Sequence, residues 1–265
     1  MKGLLIFSIF ITISYLTSAQ SHHYGPSNIH SHNDYDKPEP FRNAYGHRAG
    51  SIEADVFLVN DDLLLAHTLK EVKKDKSLEA IYLRPLDSLI KRFHGQLADD
   101  SAYHLQLLID LKSQAMTTLP ALIALVQEYP SLTRCKRLSF VISGNRPPVA
   151  SFQDYPDFIQ FDGLPDTSYT PEALARIPMI SDNFKTYSTW SGKGLIPSED
   201  LKKIRAVIDH CHKLGKPIRL WNAPDRPEAW KMLRDLKADW INTDQVGELS
   251  GYLLKQPDPA PLLAL

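Results

Sequence analysis

Residues 51–59 read SIEADVFLV, an apolar run of nine interrupted by two carboxylates, Glu53 and Asp55, at alternate positions. Its β-branched and aromatic content suits a strand. In a strand Glu53 and Asp55 share one face, while Ile52, Ala54 and Val56 share the other. On a half-exposed strand both acids would simply be solvated. On a strand covered on both faces they would meet inside the fold, where desolvation and mutual repulsion protonate at least one carboxylate unless a cation or a basic residue holds both ionised.

The neighbouring sequence favours the covered strand. Seven more short apolar runs follow the same style, at residues 28–32, 105–111, 138–143, 158–161, 178–181, 217–221 and 239–243. Helical periodicity fills the gaps at 84–93, 117–128, 171–176, 198–214 and 227–236, several of these opening on Pro, Ser or Thr. Alternating strands and helices predict a parallel sheet of β-α units. Eight strands over residues 20–254 match the size of a single α/β domain of the (β/α)8 TIM-barrel type, about 250 residues. A doubly wound open sheet is the alternative.

At the start, Met1 and Lys2 precede an apolar run at residues 4–16 and then Thr17-Ser18-Ala19. This is the layout of a signal peptide, with cleavage expected after Ala19 and export to the periplasm or the extracellular space. This run of 13 residues falls short of the roughly 20 that span a bilayer. The Pro-rich end, residues 255–265, reads as a loosely attached tail. A formal net charge of −1 in 265 residues leaves no electrostatic footprint for nucleic acid, so the expected partner is a small molecule. Cys135 and Cys211 make no disulfide scaffold, and either one bridge or two buried thiols fits them.

In a barrel of this type the reactive groups gather at the C-terminal ends of the strands. The ends here are strongly polar: His30-Ser31-His32-Asn33, then Glu53 and Asp55 running on to His67, Asp110 with Lys112, and Ser143-Gly144-Asn145-Arg146. Asp162, Asp182, Trp221-Asn222 and Asn242 with Asp244 complete the ring. Glu53, Asp55 and Asp110 supply three oxygen donors without cysteine, which suits a hard cation, Mg2+ or Ca2+. His30 and His67 suit proton transfer near neutrality, and Lys112 suits a phosphate oxygen.

The pattern IHSHNDY (29–35), GSIEADVFLVNDDLLLAHT (50–68), LLIDLKS (107–113), RLWN (219–222) and INTD (241–244) resembles the phospholipase-C-like phosphodiesterase superfamily, which includes glycerophosphodiester phosphodiesterases and sphingomyelinase D. Within it, HSHNDY and VISGNRP resemble the branch of the altered-inheritance-of-mitochondria protein 6 family. The resemblance implies a metal-dependent phosphoric diester hydrolase for glycerophosphodiesters or phospholipid headgroups. It implies His30 and His67 as catalytic groups, Glu53, Asp55 and Asp110 as metal ligands, and Lys112 and Trp221 at the substrate. His32, Asn33, Arg146 and Asn222 join them as phosphate or substrate contacts. Where glycerophosphodiesterases show His-Arg-Gly, this chain has His30-Ser31-His32, so the phosphate-binding arginine is missing there; Arg146 or Lys112 could replace it, and His32 rivals His30.

Two other readings stay open. His30, His32 and Asp244 could bind Zn2+ as in amidohydrolase-type barrels, although those also need histidines where this chain has Asp162 and Asp182. A non-catalytic headgroup-binding barrel using Trp190, Trp221 and the acids would leave the histidines dispensable.

Overall fold

A computed structural model describes residues 24–256. The expected signal peptide and nearly all of the Pro-rich tail lie outside the described residues. The strands are β1 (Ile29–Ser31), β2 (Ser51–Val59), β3 (Asp62–Leu65), β4 (Leu105–Leu111), β5 (Leu138–Gly144), β6 (Ile159–Phe161), β7 (Ile180–Asn183), β8 (Ile218–Trp221) and β9 (Ile241–Thr243). All but β3 fall on the runs read from the sequence. The helices are α1 (Arg42–Gly46), α2 (Arg84–Arg92), α3 (Ala115–Gln127), α4 (Pro130–Arg134), α5 (Pro171–Ala175), α6 (Ser198–Lys213), α7 (Pro227–Asp235) and α8 (Val246–Leu253).

The fold is α/β with a parallel central sheet, in the order β6-β5-β4-β2-β1-β9. Strands β7 and β8 form a separate parallel pair. Single parallel bridges, Gly163 against Ile180 and Arg219 against Trp240, join that pair to β6 and β9. Strand β3 is a correction to the sequence reading, which ran residues 60–62 on as a strand end. Asn60 and Asp61 both adopt positive φ, 50° and 69°, and turn the chain into an antiparallel hairpin against β2. Its last bond, Ala66 N to Asp55 O at 3.3 Å, brings His67 back beside the β2 acids.

Burial fixes the register. Ile52, Ala54 and Val56 join Leu107, Ile109, Leu111, Phe140 and Ile142 in the main core, with Leu122 and Val126 of α3 and Ile204 and Ile208 of α6 packed there too. Each such aliphatic side chain stabilises the fold by about 1.5–3 kcal/mol. A slip of one residue in β2 would exchange these for Glu53 and Asp55, so the register is strongly held. Within the other face, Leu108, Val141 and Met179 form a small apolar cluster with Trp240. Cys135 and Cys211 are buried free thiols. No helix of the described residues is long and apolar enough to cross a membrane.

Candidate active site

Glu53 and Asp55 leave β2 on the face away from the main core, 6% and 0% exposed, and the β2–β4 register sets Asp55 directly beside Asp110. Ligand oxygens of Glu53, Asp55 and Asp110 lie within 4.8 Å of one another. The chain makes room for them at the end of β5. Gly144 has φ +66°, and a Cβ there would stand 2.2 Å from Asp110 Oδ1. Only glycine satisfies both the backbone and the carboxylate.

Three gathered carboxylates need counter-charge. Lys112 Nζ lies 3.0 Å from Asp55 Oδ2 and 3.3 Å from Asp110 Oδ1, and Arg219 donates to Glu53 Oε2 at 2.7 Å. Burial works against ionised Glu53, but the hydrogen bond from His30 and the Arg219 charge hold it well below the usual carboxylate range. Asp55 goes the other way, raised by burial and by the neighbouring Glu53 charge. Its Oδ2 accepts from Tyr35 at 2.9 Å and from His67 Nδ1 at 3.1 Å, while its buried Oδ1 has no protein partner. An acid pushed toward protonation, with one buried unsatisfied oxygen and two more carboxylates close by, fits a hard dication.

The three histidines differ in setting. His30 is completely buried. Ser51 Oγ accepts from Gln106 at 3.0 Å and lies 2.8 Å from His30 Nδ1, while His30 Nε2 lies 2.8 Å from Glu53 Oε2 and against the Arg219 guanidinium. Burial, reinforced by Arg219, lowers its pKa to about 3 and keeps it neutral. His32 lines the cavity, its Nδ1 3.1 Å from Asp244 Oδ1 and its Nε2 4.0 Å from Glu53 Oε1. Burial, the largest single influence, would lower its pKa, but the Asp244 hydrogen bond and the Glu53 and Asp244 charges together outweigh it and raise the pKa. His67 also lines the cavity, and Nδ1–H donation to Asp55 leaves the Nε2 lone pair available.

The cavity has a volume of 340 Å³ and is further walled by Asn33, Lys112, Arg146, Asp162, Ser181, Arg219 and Trp221. Of the residues read from the sequence, Asn222 stays outside: it is exposed at φ 61° and donates to Asn183 Oδ1 at 3.3 Å. Arg219 was not among the sequence candidates. It is 4% exposed, its Nε donates to Ser181 Oγ at 3.0 Å, and its NH2 lies 3.9 Å from Asp162 Oδ2. The arginine absent after His30 is thus supplied from β8, where it contacts both His30 and Glu53. The one signal for it was a lone charge at the inward-facing position two before Trp221 in IRLW. Asp34, also unforeseen, pins the loop after β1, accepting from Phe41 N at 2.6 Å, Tyr82 OH at 2.8 Å and Ser31 Oγ at 2.9 Å. The Zn2+ set of His30, His32 and Asp244 does not converge. Among the described residues, Glu53, Asp55 and Asp110 are the group that does.

An acidic triad at the strand ends of a parallel α/β sheet, ringed by histidines and basic groups, can hold a hard cation beside a bound anion. Residues 19–134 match the family model of the AIM6-like phosphodiesterase domain. The chain is 25% identical to altered inheritance of mitochondria protein 6 of Kluyveromyces lactis, covering 85% of this chain and 72% of that protein. It is 28% identical to the homolog from Arthroderma benhamiae, covering 86% and 84%. Among solved structures, a glycerophosphodiester phosphodiesterase from Parabacteroides distasonis superposes with TM-score 0.54 at 16% identity, covering 86% of this chain and 96% of that one; it shares the fold. The resemblance read in the sequence therefore holds.

Proposed function

We propose that this chain is a metal-dependent phosphoric diester hydrolase for glycerophosphodiester or phospholipid-headgroup substrates, with its strands closed into one (β/α)8 barrel. The observation that carries the reading is the convergence of ligand oxygens of Glu53, Asp55 and Asp110 within 4.8 Å of one another. The two parallel bridges flanking β7 and β8 support the closed ring. Mg2+ or Ca2+ suits the oxygen set. When bound, the dication neutralises charge at a non-bridging phosphate oxygen.

The remaining work falls to side chains of the cavity. Arg219 and Lys112 donate to phosphate oxygens, and Arg146 adds positive charge at the wall. His67, held by Asp55 at Nδ1, takes the proton of the attacking water or substrate hydroxyl at Nε2. His32, kept proton-rich by Asp244, protonates the departing alkoxide. His30 orients Glu53 from behind, so the second catalytic position passes to His32. Export follows from residues 1–19, and N-terminal sequencing of the secreted protein tests it.

The enzyme assay uses bis(p-nitrophenyl) phosphate with Mg2+ or Ca2+, with and without EDTA. Chelator-sensitive turnover should fall at least about 100-fold in Asp55→Asn and in His67→Asn. Turnover that survives both chelation and those substitutions would sink the mechanism.

A further inference from the structure

Tyr35 ends the HSHNDY stretch, two residues past Asn33, where the chain turns at φ 46°. Asp34 pins that turn to Ser31, Phe41 and Tyr82, so Tyr35 is delivered inward, 2% exposed, from the loop after β1 to the acids of β2. Its hydroxyl has two acceptors in reach, Asn33 Oδ1 at 3.3 Å and Asp55 Oδ2 at 2.9 Å. The one proton goes to the nearer oxygen, that of the carboxylate.

Asp55 Oδ2 is thereby crowded. Tyr35, Lys112 and His67 lie 2.9, 3.0 and 3.1 Å from it, three donors for an oxygen with about two lone-pair sites, while Oδ1 has no partner. Two of these donors have other work. Lys112 and His67 line the catalytic cavity; Lys112 is shared with Asp110 at 3.3 Å, and the His67 side chain is 63% exposed. Tyr35 is not among the cavity walls, and its ring is packed in the main core. It alone stays on Oδ2 when the other two turn to a substrate.

We propose that Tyr35 is a positioning residue for the cation: it fixes the rotation of the Asp55 carboxylate, keeping Oδ2 with the protein and leaving Oδ1 as the oxygen that Asp55 gives to Mg2+ or Ca2+. The proposal rests on the metal-dependent reading of the site. Hydrogen bonds to a ligating carboxylate set its orientation, and losing one lowers metal affinity or activity about 10–100-fold.

The test is calorimetric titration of the full chain, stripped with EDTA and dialysed, with Mg2+ and with Ca2+, in the wild type, Tyr35→Phe and Tyr82→Phe. The variants are matched: each removes one hydroxyl from a buried tyrosine that donates to a buried aspartate, Asp55 in the first and Asp34 in the second. Phenylalanine keeps either ring in the core. Tyr35→Phe should raise the cation Kd at least about tenfold, whereas Tyr82→Phe should lower the melting temperature and leave Kd within about twofold. Turnover of bis(p-nitrophenyl) phosphate that Tyr35→Phe loses at low cation should return at saturating cation with KM unchanged. Equal weakening by both variants, or a KM that stays raised at saturating cation, makes the tyrosine a support of the loop and overturns the role. If the wild type binds the cation and Tyr35→Phe binds it equally well, the role of Tyr35 alone falls. If the wild type binds neither cation, the metal-dependent reading falls, and this role with it.

Discussion

Arg219 is a permanently charged guanidinium, almost sealed from water and shared among Glu53, Ser181 and Asp162. Its planar fork meets all three at once, which an ammonium cannot do. Arg219→Lys should therefore fold but raise KM and lower kcat/KM by roughly 10–100-fold in phosphodiester assays. Arg219→Leu strands Glu53 as an uncompensated buried charge and should cost about 3–5 kcal/mol in a denaturant melt. Asp162 shows the opposite strain. Burial raises its pKa to about 6, only partly offset by Arg219 and Arg146, and its Oδ1 has no partner. Its folded pKa stands above the unfolded value near 4, so stability is full below about pH 4 and lost as pH rises through 6. Asp162→Asn should gain on the order of 2 kcal/mol over the wild type at pH 7.5 and nothing at pH 4, read as melting temperatures in EDTA. A gain equal at both pH values would show that ionisation is not its source.

At the scale of the element, the end of β5 sets the geometry of a neighbouring strand's ligand. Gly144→Ala carries a left-handed backbone penalty of about 1–2 kcal/mol and also drives a methyl into Asp110. Gly215→Ala, at φ +69° with nothing within 4 Å, carries the backbone penalty alone. The first should weaken Mg2+ or Ca2+ affinity at least about tenfold in calorimetry, and the second should lose stability but keep affinity. Equal effects would mean that the glycine serves only the turn. Elements with strong local signals were legible from the chain. The β2 and β4 strands declared themselves as apolar runs carrying isolated carboxylates, and α6 by its apolar spacing through Ile204, Val207, Ile208 and Cys211, all buried. Helices α1 and α4, five residues each, are too short to show a period. Strand β3 hid behind Asn60 and Asp61, whose turn chemistry reads equally well as a loop. The acids and His67 were readable because each carries a chemistry its surroundings cannot absorb. Arg219 was not, because its partners come from β2, β6 and β7 and meet only in the folded chain.

For the molecule as a whole, a net charge near zero means that affinity for a cation must come from local convergence rather than from a global field. The cavity brings Glu53, Asp110 and Asp162 to its wall, with Asp55 behind, against Lys112, Arg146 and Arg219. Without a dication the fold bears the cost of raising Asp55 toward protonation and leaving its Oδ1 bare. A cation that binds the folded chain but not the unfolded one must then stabilise it by mass action, by about 2.7 kcal/mol at a hundredfold excess over Kd. For a domain of this size that amounts to roughly 5–10 °C in Tm. Thermal melts should show this rise with Mg2+ or Ca2+, its reversal by EDTA, and its disappearance in Asp55→Asn. Asp55→Asn itself should melt higher than the metal-free wild type, since it removes a charge from the cluster while keeping acceptors for Tyr35 and His67. An Asp55→Asn protein that melts lower and still responds to the cation would place the binding site somewhere other than the three carboxylates.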